Sequence, residues 1–153
     1  MLFRSQHDEH TLAPAKGRAY EHPSLSGSES VGIVEFLMSI DRPSPEIVRA
    51  IEGAVEWFRA AKISGIRVDT IAAPGTAKAT DRVVVADANA PPLWARFYEI
   101  GTNRPIFSGR DSVIRYQLSE IEYERRNGYR WYVDRPAKLL EREYPEWRRR
   151  WAR

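Results

Sequence analysis

The chain has 153 residues, the size of a single domain with a substantial core. Hydrophobic residues make up 42% and charged residues 29%, and no apolar run approaches the roughly 18 residues that a membrane span needs. Cysteine is absent, which excludes disulfides and thiolate metal sites. The formal net charge of +3 is too small to indicate a nucleic-acid-binding protein.

The N-terminal part has little periodicity, and we expect residues 1–25 to be an irregular segment. It contains three histidines, His7, His10 and His22, beside acidic residues such as Asp8 and Glu21. Their spacing matches no zinc motif, so no metal ligand is assigned. The opening residues also lack the apolar run of a signal peptide.

A first helix is predicted from about Ser28 to Ile40. Ser26 and Glu29 have the spacing of a capping box, in which a hydroxyl and a carboxylate each satisfy a free backbone amide. The apolar run that follows supplies a broad hydrophobic face. Pro43 ends the helix, because a proline excludes the residue before it from helical conformation.

A second helix and a β-hairpin follow. Ser44 is the expected N-cap, and Gly65 is the expected stop. Between them, one helical face is formed by Ile47, Ile51, Ala54, Val55 and Phe58. Residues 66–71 alternate apolar and polar, and residues 82–86 are rich in β-branched side chains. Both are predicted strands, joined by a flexible loop.

The second half mixes arginines with aromatic residues and turn formers. Within residues 92–111, three arginines are separated by glycine, asparagine and proline, so loops must place them: Arg96, Arg104 and Arg110. The planar guanidinium donates two parallel hydrogen bonds to a carboxylate. A solvated surface role is the default for a lone arginine, and a core role is the default for a lone aromatic. Local chemistry alone indicates an anion-binding globular piece.

Two further short helices are expected near the C-terminus. Ser119 and Glu122 have capping-box spacing, and Gly128 would close the helix that they open. Pro136 can occupy the first position of another helix, which runs to Arg142. No internal repeat is present, and two long helices facing an arginine-rich, loop-rich half make an unusual architecture for a free-standing domain.

The sequence resembles the pectate lyases of polysaccharide lyase family ten. The matching blocks occur in the family's order and extend over nearly all of residues 6–148. They are Gln6-His7-Asp8, Thr11 to Ala15, Arg18-Ala19-Tyr20-Glu21, Ser24 to Ile33, Pro92 to Asp111, Glu122 to Tyr129 and Pro136 to Leu140. An ordered series of long blocks is far more specific than one short motif.

The resemblance implies a fold and an organisation. The fold would be mainly α, a partial α/α toroid (an incomplete α/α barrel) with a short β hairpin and a loop-rich C-terminal half. Residues 26–153 would be the C-terminal part of a catalytic domain. Because the likeness begins at Gln6 and family members are longer, the sequence is expected to be a truncated or split lyase. A secreted monomer that binds neither nucleic acid nor membrane is the matching expectation.

The resemblance also implies an activity: calcium-assisted β-elimination on polygalacturonate, or pectate. Arg110 matches the position of the arginine base that removes the C5 proton. Substrate binding is assigned to Arg96, Arg104, Arg125, Asp8 and Arg18. Calcium (Ca) is implied as the cofactor, its ligands are unknown, and they are expected outside this chain.

Two alternatives stay open beside the lyase. A non-catalytic remnant would bind acidic polysaccharide through the same arginines without cleaving it. A basic nucleic-acid binder would bind DNA with a steep salt dependence, but no DNA-reading motif is present and the charge excess is small. Nothing beyond default recommends a purely structural domain.

Overall fold

The structure is a computed structural model that describes residues 6–151. Residues 1–5 of the predicted segment 1–25 and residues 152–153 of the predicted segment 26–153 therefore lie outside the described range. The helices are α1 (Glu29–Met38), α2 (Pro45–Ala60), α3 (Tyr123–Gly128), α4 (Arg135–Lys138) and α5 (Tyr144–Trp151). A π-helical turn, Leu139–Glu143, connects α4 to α5. None of the helices in this range is long and apolar enough to cross a membrane.

The strands form small antiparallel pairs. They are β1 (Ser24–Ser26), β2 (Ile66–Ala72), β3 (Thr80–Ala86), β4 (Trp94–Ala95), β5 (Phe97–Glu99), β6 (Phe107–Ser108), β7 (Ile114–Arg115) and β8 (Tyr132–Val133). Strand β1 pairs with β5, β2 with β3, β4 with β8, and β6 with β7. Two of these pairs, β1 with β5 and β4 with β8, join segments that are far apart in sequence. Each pair is a separate two-stranded sheet.

The expectation of a mainly α toroid is wrong. The chain is 36% helical and 23% strand, and its helices are accompanied by several small antiparallel sheets. The physical reason lies in the second half, where turn formers interrupt the chain every few residues. Segments this short cannot form a stable helix, because nucleating a helix is unfavourable, but two or three residues can still pair with a strand elsewhere.

Helix α2 confirms the apolar face that was predicted for it. The Ser44 hydroxyl accepts a hydrogen bond from the Ile47 N–H at 3.4 Å, and Pro45 is the first helical residue. The helix ends at Ala60, before the predicted stop, because Ile63 pairs with Leu93 through two backbone hydrogen bonds of 2.8 and 2.9 Å. The chain then turns at Gly65, which has a φ of 81°, into β2.

The hairpin of β2 and β3 is also confirmed. Its register runs from Ile66 opposite Ala86 to Ala72 opposite Thr80, which makes each strand slightly longer than predicted. The hairpin reaches across to the second half of the chain. The Tyr123 hydroxyl at the start of α3 donates to the Thr80 carbonyl at 2.8 Å.

Two hydrophobic clusters fill the interior. The first lies between α1, α2, α5 and the β4–β8 pair, and the second is built mainly from aromatic residues of the second half. Strand β5 is shared: Phe97 belongs to the second cluster and Tyr98 to the first. Adjacent residues on a strand point to opposite faces, so a single short strand connects the two clusters.

Candidate functional site

A pair of tyrosine rings lies at the centre of the predicted site. Tyr20, in the loop before β1, meets Tyr129, just after α3, edge to face with 5.2 Å between ring centroids. The Tyr129 hydroxyl donates to the Glu21 carboxylate at 2.9 Å. This contact joins the N-terminal loop to the C-terminal part of the chain, although the two segments are 108 positions apart.

Three guanidinium groups lie over these two rings. Arg125 is 4.7 Å from the Tyr20 centroid and Arg96 is 4.5 Å from the Tyr129 centroid. Arg18 lies between the rings, 5.2 Å from Tyr20 and 5.7 Å from Tyr129. Each cation is attracted by the negative face of an aromatic ring, so the pair of rings gathers positive charge on one surface.

Carboxylates from the N-terminal part of the chain pair with two of these arginines. Arg18 donates from Nε to Glu21 at 2.9 Å, and Arg96 pairs with Glu29 at the start of α1. Burial alone would raise the pKa of the Glu21 carboxyl, but hydrogen bonds from Arg18 and Tyr129 lower it to about 2. The same bond to Glu21 raises the pKa of Arg18 above its ordinary value.

Arg110 joins the surface through Glu124. The Glu124 carboxylate accepts from Arg110 Nε at 3.0 Å and Nη2 at 3.1 Å, and it also pairs with Arg125. Hydrogen bonds from Arg125 and then Arg110 lower the pKa of Glu124 to about 2. Glu124 in turn raises the pKa of Arg110, and the positive charge of Arg125 acts in the opposite direction.

The backbone at Arg110 is held by Glu122. The Glu122 carboxylate accepts from the Arg110 N–H at 2.7 Å, and it lies where a side chain on Gly109 would have to be. The capping box predicted for Ser119 and Glu122 is therefore wrong, because the Glu122 carboxylate is used by another loop. A capping arrangement forms earlier instead, between Gln117 and Glu120.

The structure thus brings four of the predicted site residues onto one surface and leaves two apart. Arg18, Arg96 and Arg125 lie over the tyrosine pair, and Arg110 shares Glu124 with Arg125. Arg104 stacks on Tyr116, 3.7 Å from the ring centroid, in a separate turn. Among the described residues, the Asp8 carboxylate accepts hydrogen bonds from His10 and Thr11 of its own loop.

Comparison with known proteins agrees with the geometry. A family model of pectic acid lyases matches residues 2–140. This chain belongs to the pectic acid lyase family. No curated protein sequence gives a match.

Solved structures of family 10 polysaccharide lyase resemble this chain. The lyase from Cellvibrio cellulosa is 33% identical with a TM-score of 0.78, over 95% of this chain and 42% of that one. A mutant of the Cellvibrio lyase in complex with trigalaturonic acid has the same identity and TM-score, over 95% of this chain and 43% of that one. The present chain therefore spans less than half the length of these lyases.

The described residues of this lyase-family chain do not fit the implied calcium. Calcium prefers six to eight oxygen ligands, several from carboxylates. Within residues 6–151, no three histidine or acidic side chains converge to hold a metal ion. The carboxylates at the site, Glu21, Glu29 and Glu124, are each paired with arginine. No catalytic step is therefore derived through calcium.

The arginines lie on an exposed surface and do not line the cavity next to it. A cavity of about 520 Å³ is lined by residues that include Asp81, Arg82, Arg126 and Tyr132, and by none of the four site arginines. The side chains of Arg18 and Arg110 are 63% and 66% exposed, whereas those of Arg96 and Arg125 are 23% and 11% exposed. Two anchored and two accessible guanidinium groups therefore make up the site.

Sequence reasoning did not single out the residues that organise the arginines. Tyr20, Tyr129 and Glu124 hold the guanidinium groups in place, and Glu122 holds the backbone of Arg110. The first, third and fourth lie within blocks of the family resemblance, and Tyr129 ends such a block. A tyrosine two positions after Arg18 was the available local signal, because arginine commonly stacks on aromatic rings.

Proposed function

We propose that this chain binds polygalacturonate across the arginine surface and carries residues for its β-elimination. The observation that supports the proposal is that Arg18, Arg96 and Arg125 lie over one pair of rings and that Arg110 is joined to Arg125 through Glu124. Polygalacturonate has one carboxylate on every sugar, and guanidinium groups pair with carboxylates through two parallel hydrogen bonds. The Cellvibrio relative crystallised with trigalaturonic acid adds support for this class of substrate.

The chemistry also calls for positive charge at the sugar carboxylate. Breaking the C5–H bond transfers negative charge onto the adjacent carboxylate, and the electron pair then forms the C4=C5 double bond while the C4–O bond breaks. Guanidinium groups fixed at that carboxylate stabilise the developing charge, usually the largest single contribution to catalysis. Arg96 and Arg125, the two anchored arginines, are proposed for this role.

Arg110 is proposed as the base that accepts the C5 proton. Its side chain is exposed, and the charge of Arg125 favours loss of its proton. Glu124 opposes this, because the ion pair raises the pKa of Arg110. Proton transfer therefore requires Arg110 to leave Glu124 and proceeds faster at alkaline pH. We also propose that the complete activity requires calcium. The protein is proposed to act after secretion.

A direct assay tests the proposal. The protein is incubated with polygalacturonate and calcium at alkaline pH, and the unsaturated product is followed by its ultraviolet absorbance. Product formation that stops when a chelator is added supports elimination with calcium. No product and no retention of the protein on a polygalacturonate gel would overturn the assignment.

The alternative is binding without cleavage, and one observation favours it. Every site arginine has a carboxylate partner, and hydrogen bonds to these partners raise the pKa of Arg18 and Arg110, so a neutral guanidinium is disfavoured. Retention by polygalacturonate during electrophoresis without product would indicate the binding function.

Substitution of the two exposed arginines tests the identity of the base. Arg110→Lys keeps the charge but changes the acceptor, and we expect kcat to fall at least about 100-fold, because general-base catalysis contributes factors of that size. Arg18→Lys should mainly raise KM. Arg49→Lys, on α2 and paired with Glu46, is the matched control and should leave both constants unchanged. If Arg18→Lys abolishes kcat and Arg110→Lys raises KM alone, the base is Arg18.

A further inference from the structure

The carboxylate of Glu124 occupies the space between two site arginines. Arg110 donates to it through Nε and Nη2, at 3.0 and 3.1 Å. Arg125 donates through its own Nε at 2.7 Å and through its Nη2. One carboxylate thus receives two parallel hydrogen bonds from each guanidinium group, the geometry in which arginine recognises carboxylates most strongly.

The group held there is the same chemical group that a galacturonate unit would present. A substrate carboxylate that approaches Arg110 and Arg125 finds their paired donor edges already in use. The three side chains differ in their freedom to move. Arg125 is 11% exposed and rests on Tyr20, whereas Glu124 and Arg110 are 53% and 66% exposed. Glu124 can therefore swing into solvent while Arg125 stays in place.

We propose that Glu124 is an internal competitor that occupies the carboxylate clamp of Arg110 and Arg125 until a uronate carboxylate displaces it. The inference rests on the proposed function, because it assumes that this surface binds polygalacturonate. Binding is then an exchange of one carboxylate for another on the same two guanidinium groups. Glu124 sets the affinity of the clamp and cancels one of its two positive charges when no substrate is bound.

Binding in which the uronate displaces Glu124 and binding without such a displacement differ in their response to salt. In the wild-type protein, one anion leaves the guanidinium groups as another arrives, so the net charge at the clamp before binding is small. Without the Glu124 charge, a uronate approaches two unneutralised cations. Attraction between exposed charges is screened by salt, with a Debye length of about 10 Å at 0.1 M. Removing Glu124 therefore strengthens binding and makes it more sensitive to salt.

The experiment measures binding of trigalacturonate by calorimetry to the wild-type chain, Glu124→Gln and Glu124→Ala. Both variants remove the charge, and the alanine variant also removes the hydrogen-bonding group, so the result does not depend on one substitution. We expect the Kd to fall about two- to fivefold at low salt, a range set by the modest strength of exposed ion pairs. We also expect a steeper rise of Kd with sodium chloride in both variants than in the wild type.

Glu46→Gln provides the control. Glu46 pairs with Arg49 at 2.9 Å on α2, so the substitution removes the same charge and the same kind of ion pair away from the site, and it should leave the Kd unchanged. Equal or weaker binding by both Glu124 variants, with wild-type binding intact, overturns the inference alone. No binding of trigalacturonate by the wild type or any variant overturns the proposed function, and the inference with it.

Discussion

Gly109 shows how closely the loop before Arg110 is packed. A side-chain carbon added at Gly109 would overlap the carboxylate of Glu122, which holds the Arg110 N–H at 2.7 Å. The glycine is therefore required by a close approach and not by an unusual backbone angle. Its place next to the proposed base connects loop packing to function.

Gly109→Ala should consequently weaken both the fold and the site. Either Glu122 leaves Arg110 or the loop shifts, and overpacking of this kind costs about 1–3 kcal/mol in the free energy of unfolding. Urea denaturation gives this value, and trigalacturonate binding should weaken in parallel. Gly32→Ala is the control: in α1 its nearest neighbour would be the Arg135 side chain at 3.7 Å, so helix stability should rise by about 0.5–1 kcal/mol. Equal effects of the two substitutions would contradict this account.

At the residue scale, the sequence indicated the arginines but not their pairing. Turn formers around Arg96 and Arg110 predicted loop placement, and the family resemblance pointed to the same positions. The contact between Glu124 and Arg125 was not predictable, because adjacent residues on a helix do not normally face each other. Nor could the pattern show that Glu122, expected to cap a helix, would bind the loop at Arg110.

The hairpin of β2 and β3 supports the helix that carries the clamp. Asp81, at the start of β3, accepts two hydrogen bonds from Arg126 of α3, at 2.8 and 2.7 Å. It accepts another from Asn127 at 2.7 Å. Tyr123 adds its bond to Thr80. A six-residue helix is too short to be stable alone, so these contacts fix the orientation of Glu124 and Arg125.

Asp81→Asn should therefore destabilise the chain and loosen α3. Loss of charged hydrogen bonds to Arg126 is expected to lower the free energy of unfolding by about 2 kcal/mol at pH 7. The exposed pair of Asp134 with Arg130 provides the control, and Asp134→Asn should change stability by less than about 0.5 kcal/mol. Urea denaturation compares the two.

The pH dependence of this difference has a defined sign. The hydrogen bonds from Arg126 lower the pKa of Asp81 below its ordinary 3.8. A depressed pKa contributes stability that is fully present above the unfolded value and is lost as the pH falls below it. The gap between wild type and Asp81→Asn should accordingly narrow from pH 7 to pH 3. A gap that widens toward acid would contradict the assignment.

At the element scale, long periodic segments were predictable and short strands were not. The apolar face of α2, the alternation in β2 and the β-branched run in β3 are properties of the local sequence. The helix and the hairpin formed as predicted. Strands such as β4 and β8 contain two residues each, too few to show any period. Their pairing depends on long-range contacts and could not be predicted, whereas the α/α toroid was expected from the family resemblance.

At the scale of the whole molecule, β5 unites the two hydrophobic clusters. The buried Tyr98 hydroxyl donates to the Ala61 carbonyl at 2.7 Å and accepts from the Ala95 N–H at 2.8 Å. It thereby ties the end of α2 to β4, while the neighbouring Phe97 packs in the second cluster. Unfolding of β5 would therefore disrupt both clusters.

Tyr98→Phe should consequently lower the stability of the entire chain in one transition. Two buried backbone groups lose their partner, which costs about 1–3 kcal/mol. Far-UV circular dichroism and tryptophan fluorescence should give the same midpoint, because Trp94 reports the first cluster and Trp131 the second. Tyr116→Phe, at an exposed hydroxyl bonded to Glu99, should be nearly neutral. Two separate transitions would show that the clusters unfold independently.

The ring pair of Tyr20 and Tyr129 has a consequence for how the chain assembles its arginine surface. Its two members are contributed by segments near opposite ends of the described sequence. Closing so long a loop costs conformational entropy, and contacts of this kind form slowly in folding. The arginine surface therefore assembles only with the native topology, and an incompletely folded chain, even one with α1 and α2 formed, lacks it.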